Sequence, residues 1–191
     1  MNPHQELDRQ IDTLLHKGYP KLAGVSESAF KEELMALHDI LPQNLDTPIN
    51  LEHGTLPFVI VVQSTLIPAE QAMALTGKDG KHGITKLFPH EPTDFTTVPE
   101  VAVPSSSTYL LIDIDRGKAN INQPPNQALP QIQQAGRSPL TIDEGIAIVT
   151  QYPEFLMKNN CFSLLASRHA GDQRVPAIWI NGQKHPNLGW C

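Results

Sequence analysis

TIDEGIAIVTQYPEFLMKNNCFSLLASRHAGDQRVPAIWINGQKHPNLGWC, residues 141–191, reads as one helix followed by strands and sets the class as α+β. Thr141 and Glu144 have the T-x-x-E spacing of a capping box, in which each side chain satisfies the other's backbone amide. The apolar run Ile146, Ala147, Ile148, Val149 follows directly. That pattern predicts a helix from about Ile142 to Gln151. Pro153 starts a further helical turn through Met157, and Asn159 and Asn160 close it. The rest reads as a three-stranded antiparallel meander: a strand over 161–167, a turn at Ala170–Gln173, a strand over 174–180, a turn at Asn181–Gly182, and a last short strand ending in LGWC. Pro176 has no amide hydrogen, so its strand is expected to bulge there or to present that position to an edge.

Working back toward the N-terminus, Leu7, Ile11, Leu14 and Leu15 recur at helical spacing over residues 4–17, with Gly18 and Pro20 as the stop. A second helix starts at Ser26, an N-cap, with Glu27 in its first turn. It carries Phe30, Leu34, Leu37 and Leu41 on one stripe before Pro42. The two are expected to form a helical hairpin. Phe58–Gln63 (FVIVVQ) is a β-branched run expected in the centre of a sheet, and Tyr109–Ile114 (YLLIDI) is a second strand. Pro68 suits the first turn of a helix carrying Ala72, Met73 and Leu75. Residues 125–134 read as another helix, with Ala128, Leu129 and Ile132 inward and Gly136 at its end. Between them, residues 77–106 hold glycines at 77, 80 and 83 and prolines at 89, 92, 99 and 104, and read as a long surface excursion. The whole is expected to be a single globular domain over 1–191: a helical hairpin over 1–45, an α/β middle over 57–136, and helix plus meander over 137–191. Its N-terminal helices pack on one mixed sheet that ends in the C-terminal meander.

A chain of 191 residues with 40% hydrophobic content can bury roughly two thirds of its unfolded surface, which excludes a disordered tail protein. The longest apolar run, Phe58–Val62, is far short of the roughly 20 residues that cross a bilayer, so no membrane partner is expected. Net charge is −6, the wrong sign for counterion-release binding to phosphate backbones, so no nucleic acid is expected. The charge is uneven: residues 1–136 hold 16 acids against 9 bases, residues 137–191 hold 4 against 5. An anion-seeking site therefore belongs in the last third. Two cysteines make no disulfide framework, and the N-terminus has no secretory pattern, so a reducing cytoplasm is expected. No Walker, Rossmann, HExxH or GxSxG string occurs, and none of the eight histidines has an i, i+4 histidine partner on a helix. No cofactor and no metal are expected.

The segment GRSPLTIDEGIAIVTQYPEFLMKNNCFSLLASRHAGDQRVPAIWINGQKHPNLGWC (136–191) resembles the C-terminal core of a bacterial family of unknown function, common in actinobacteria. DRQIDTLLHKGYPKLAGVSESAF (8–30), PFVIVV (57–62), PAEQAM (68–73), YLLIDIDRGK (109–118) and NQALPQIQQAGRSPLT (126–141) share the likeness, which spans nearly the whole chain. Members of that family continue past LGWC with a Trp-, Gly- and Asn-rich tail. The resemblance implies no activity and carries over no catalytic residues.

Asp143 and Glu144 are adjacent carboxylates, and such neighbours act as acid and base when burial separates their pKa values. In the first turn of a capped helix they also serve the helix dipole, and successive helical residues point about 100° apart. Arg137, Arg168 and Arg174 supply three of the five arginines, with Arg168 and Arg174 flanking one hairpin. Two guanidinium forks together chelate a carboxylate or phosphate, although surface pairing with Asp172 or Glu154 would occupy them. Trp179 is expected either in the core or as a platform next to Arg174. Cys161 is expected to be a buried apolar residue, and Cys191 could approach it across the meander. His169 lies too far along an extended strand to partner Cys161.

These residues lead to a non-catalytic or accessory protein that binds a small anionic ligand through Arg137, Arg168, Arg174 and Trp179. One alternative is an enzyme using Asp143, Glu144 or His169 in a pocket closed by the loop 77–106. Another is a protein-interaction module using the Pro-rich loop or an exposed edge strand.

Overall fold

The computed structural model describes residues 2–190, so the expectation for Cys191 lies outside the described residues. The described residues fold into an α+β structure of six α-helices and four small sheets. Its helices are α1 (Pro3–His16), α2 (Tyr19–Ala23), α3 (Glu27–Met35), α4 (Ala69–Leu75), α5 (Pro125–Gln134) and α6 (Ile142–Gln151). In chain order the strands are β1 (Thr55–Val62), β2 (Gly77–Lys78), β3 (Lys81–His82), β4 (Ile84–Lys86), β5 (Thr96–Thr97), β6 (Thr108–Asp115), β7 (Phe162–Ser163), β8 (Ser167–Arg168), β9 (Pro176–Ile180) and β10 (Pro186–Trp190).

Helix α6 has the predicted bounds because its capping box forms. The Glu144 amide donates to Thr141 Oγ1 at 3.2 Å, and the Thr141 amide donates to Glu144 Oε2 at 2.7 Å. It is buried along nearly its whole length and packs between β1 and β9. The N-terminal helices form at the predicted places, with the Ser26 hydroxyl accepting from the Ala29 amide at 3.2 Å. Between them lies an unpredicted short helix, α2, in which Pro20 occupies the first turn, where its missing amide is no loss. The stripe Phe30, Leu34, Leu37 is buried as expected, but the α-helix ends at Met35 and Leu37 sits on a 3-10 turn, Ala36–Asp39.

The sheet differs from the expectation. The strands do not join one mixed sheet: β1 and β6 form a two-stranded antiparallel ribbon, and β4-β10-β9-β7 form a separate four-stranded sheet. In the latter β4 runs parallel to β10, and the other pairs are antiparallel. Strand β1 is buried from Leu56 to Val62 yet has one strand neighbour, not two. A side chain takes the place of the second. Gln10 of α1, with no exposed surface, donates from Nε2 to the Phe58 carbonyl at 3.1 Å and accepts from the Ile60 amide at 2.8 Å. Buried backbone groups demand partners, and one carboxamide supplies both donor and acceptor along that edge. The Gln10 backbone carbonyl in turn accepts from Gln151 Nε2 of α6 at 3.1 Å, which locks α1 to the core helix.

Residues 77–106 are better ordered by pairing than their composition suggests. They contain the β2–β3 hairpin, the edge strand β4, and β5, which pairs with β8 in a two-stranded ribbon. The predicted strand over 161–167 breaks into β7 and β8, because β7 pairs with β9 while β8 turns away to pair with β5. Cys161, ahead of β7, is exposed rather than buried. The turn at Asn181–Gly182 extends over five residues. Asn181 Oδ1 accepts from the amides of Gln183 and His185, and the left-handed residue is Lys184, not the glycine. Pro176 opens β9, and its carbonyl accepts from the Leu164 amide at 2.8 Å. Among the described residues, no helix is long and apolar enough to cross a membrane.

Candidate functional site

The ribbon β5–β8 brings the long loop against the C-terminal hairpin, and side chains from four segments meet there. The imidazoles of His90 and His169 stack with centroids 3.9 Å apart and planes tilted by 32°. Trp190, at the end of β10, lies edge-on to His90 at 5.6 Å and against Phe95 at 5.2 Å. Its indole nitrogen donates to the Leu87 carbonyl at 2.9 Å, which fixes the ring. The Arg174 guanidinium lies over the indole, 4.1 Å from the ring centre, a cation–π contact. His90 Nδ1 is 3.7 Å from the Asp94 carboxylate.

The arginines of the hairpin point to the same turn. Arg174 pairs with Asp172 at 2.6 Å, and Arg168 donates from Nη2 to the Gln173 carbonyl at 3.4 Å. Hydrogen bonds from the Arg174 side chain and backbone hold the Asp172 carboxyl well below the usual carboxylate range. Arg168 makes no ion pair among the described residues. His169 Nδ1 is buried and has no hydrogen-bond partner among the described residues.

Two of the residues expected at this site lie elsewhere. Arg137 pairs with Asp113 of β6 at 2.6 Å. The Thr47 hydroxyl and Arg137 together keep that carboxyl below its ordinary value. Trp179 is not beside Arg174. Five residues of extended chain separate them, roughly 17 Å at the rise of a strand, and Trp190 fills the place over the guanidinium. The sequence offered little sign of His90 and Phe95, because both sit in the long loop and reach the hairpin only through the β5–β8 pairing.

Asp143 and Glu144 do not converge. Asp143 Oδ2 accepts from both the amide and the hydroxyl of Ser64, each at 2.9 Å. Glu144 folds back onto Thr141 and accepts from the Tyr109 hydroxyl at 3.0 Å. The void beside Asp143, lined by Leu14, Tyr19, Ile60 and Val62 among others, measures about 10 Å³, too small for an organic substrate. Burial pushes the Asp143 carboxyl up against the opposing hydrogen bonds from Ser64, and burial likewise raises Glu144.

The raised Glu144 makes a prediction. The native state holds that proton more tightly than the unfolded chain, so stability falls as pH rises from the ordinary value of 4.5 through the native value. Glu144→Gln removes this term while keeping the shape of the cap. The stability of the parent relative to E144Q is expected to increase as pH is lowered from 7.5 toward 4.5, read by urea denaturation across that range. A difference that stays flat or changes in the opposite sense would show that the carboxyl is not raised.

A wide, open depression of about 650 Å³ runs along α1, lined by Asp8, Arg9, Asp12, His16 and Lys17 among others. Its acids and bases alternate without converging on a point. Among the described residues no group of three or more His, Cys, Asp or Glu side chains is placed to hold a metal ion. No curated protein and no solved structure matches the chain. The likeness read from its motifs does have a counterpart at the level of the family: the match runs over residues 13–191, and the chain belongs to a family of unknown function, DUF5701.

Proposed function

We propose that this is a cytoplasmic bacterial protein that binds a small anionic ligand without transforming it. Its contacts are Arg168 and Arg174, walled by Trp190, His90 and His169, and neither nucleic acid nor a membrane is its partner. The observation that carries this reading is Arg168. In a chain of net charge −6 it reaches the same turn as Arg174, yet has no carboxylate paired with it among the described residues. A guanidinium in that setting offers its remaining N–H groups to a carboxylate or phosphate, and the charge-assisted bonds are the strong ones. Arg174 is held over the indole and paired with Asp172, which limits the freedom lost when a ligand binds. The acidic remainder of the protein disfavours polyanions, which supports a small ligand.

Calorimetric titration with inorganic phosphate, pyrophosphate and citrate tests this. Arg168→Gln is expected to weaken the tightest of these by about 10- to 150-fold, from the loss of one charge-assisted hydrogen bond of about 1.5–3 kcal/mol. Arg168→Gln with Arg174→Gln is expected to abolish binding, with the melting temperature shifted by no more than about 2 °C, since both groups lie at the surface. Binding that survives the double substitution sinks the reading.

A second reading, an enzyme using His169 for proton transfer, draws on the buried Nδ1 of His169, without a hydrogen-bond partner among the described residues, on a ring stacked against His90. NMR of the bound ligand over hours of incubation decides it, because a ligand recovered unchanged removes catalysis.

A further inference from the structure

Strand β10 also presents groups on the opposite face of its sheet from Leu188. Asn187 is 1% exposed, and neither its Nδ2 nor its Oδ1 has a hydrogen-bond partner among the described residues. It lies between Ile84 of β4 and Trp179 of β9, its cross-strand neighbours. Two residues on, Gly189 leaves a bare stretch of backbone. A Cβ there would stand 2.6 Å from Trp179 Cη2, 2.9 Å from Asn187 Nδ2 and 3.1 Å from the Lys86 carbonyl oxygen. Indole edge, carboxamide and carbonyl thus converge over one glycine.

A buried carboxamide with both ends unsatisfied is costly, and an apolar residue of similar size would fill the same space without that cost. The half-buried Trp179 stands directly across from it on the neighbouring strand, with the edge of its ring over Gly189. An amide offers a donor beside an acceptor in one plane. It reads a group with the complementary pair, as asparagine reads the amino group and ring nitrogen of adenine. An indole adds a flat π surface on which such a ring stacks.

We propose that Asn187 and Trp179 form a binding site for a small planar heteroaromatic ligand that carries an N–H donor beside an acceptor, with Trp179 swinging from its cover over Gly189 to stack on the ring. The site is separate from the arginine cluster and uses none of its side chains.

Calorimetric titration with adenine, nicotinamide and 9-methylpurine, together with tryptophan fluorescence, tests it on the whole chain. Adenine presents the amino group beside a ring nitrogen, nicotinamide presents a carboxamide, and 9-methylpurine carries no N–H donor. Binding of adenine or nicotinamide is expected, with 9-methylpurine weaker by at least about tenfold, the discrimination a bidentate amide contact gives. Asn187→Leu is expected to lose that binding while melting no lower than the parent, because it removes an unsatisfied group. Trp179→Ala, a second variant that keeps the amide, is expected to weaken binding and to abolish the fluorescence change. The Arg168→Gln, Arg174→Gln double variant is expected to bind adenine as the parent does, so failure here and failure at the arginine cluster are told apart. No saturable heat with adenine or nicotinamide at millimolar concentration, 9-methylpurine bound as well as adenine, or undiminished binding in a folded Asn187→Leu would each overturn the proposal.

Discussion

Gln10→Leu is expected to lower the free energy of unfolding by about 3–5 kcal/mol, the scale of two buried backbone groups left without partners. Leucine fits the volume, so the loss does not come from a cavity. It comes from the Phe58 carbonyl and the Ile60 amide, both in a strand segment with no more than 1% exposure, which lose respectively the donor and the acceptor that Gln10 supplies. Glu6 loses a third bond, from Gln10 Nε2 at 2.9 Å. At roughly 2–4 °C per kcal/mol for a chain of this size, the melting temperature should fall by about 6–20 °C. Urea denaturation at neutral pH is the measurement, and a loss under about 1 kcal/mol would mean that water or another side chain takes over the strand edge.

Gly83→Ala is expected to cost about 2–4 kcal/mol, in the range of strained overpacking. The new methyl would lie 2.1 Å from the Met73 carbonyl oxygen and 2.1 Å from Thr76 Oγ1, at the end of α4. A helix carbonyl cannot step aside as a side chain tip can, so β4 must move away from α4. Strand β4 holds β10 in register and leads into Leu87, whose carbonyl fixes Trp190. The same substitution should therefore change Trp190 fluorescence and weaken anion binding at Arg168 and Arg174. Gly182→Ala is the control: nothing lies within 4 Å of its Cβ position, and a change of no more than about 0.5 kcal/mol is expected. Equal stability of the two variants would refute the tight contact.

What was legible in the sequence was local. The capping box at Thr141 and Glu144, the N-cap at Ser26 and the buried run of β1 depend on residues a few positions apart, and each formed where its spacing placed it. What escaped depends on partners distant in the chain. Gln10 sits on an apolar stripe, where a polar residue reads as an interruption. Its role appears only when Phe58 and Ile60 arrive from 48 and 50 residues away. For the same reason the β-branched run 58–62 suggested a strand with neighbours on both sides: buried strands have that composition whether a strand or a glutamine completes the edge. The candidate site divided along the same line. That Arg168 and Arg174 reach one turn is readable because they share a hairpin. Trp190 ends the last strand with nothing in its spacing to tie it to Arg174, and His90 and Phe95 join the cluster only through a pairing of β5 with β8 that two-residue strands cannot announce.

The parallel pairing of β4 with β10 bears on how this chain reaches its native state. The contacts that tie these strands' ends together, His82 to His185 and Leu87 to Trp190, each span 103 residues, and the bonds from Gln151 to Gln10 and Tyr152 to Glu6 span 141 and 146. Loop closure over such distances must be met before these contacts return any stabilisation, so the rate of folding is set late, by the docking of far ends, rather than by the rapid local helices. During that interval β9 and β10 can pair as a hairpin with one edge still open. The cell must therefore keep the half-built sheet from other strands for longer than it would a helical protein of the same length.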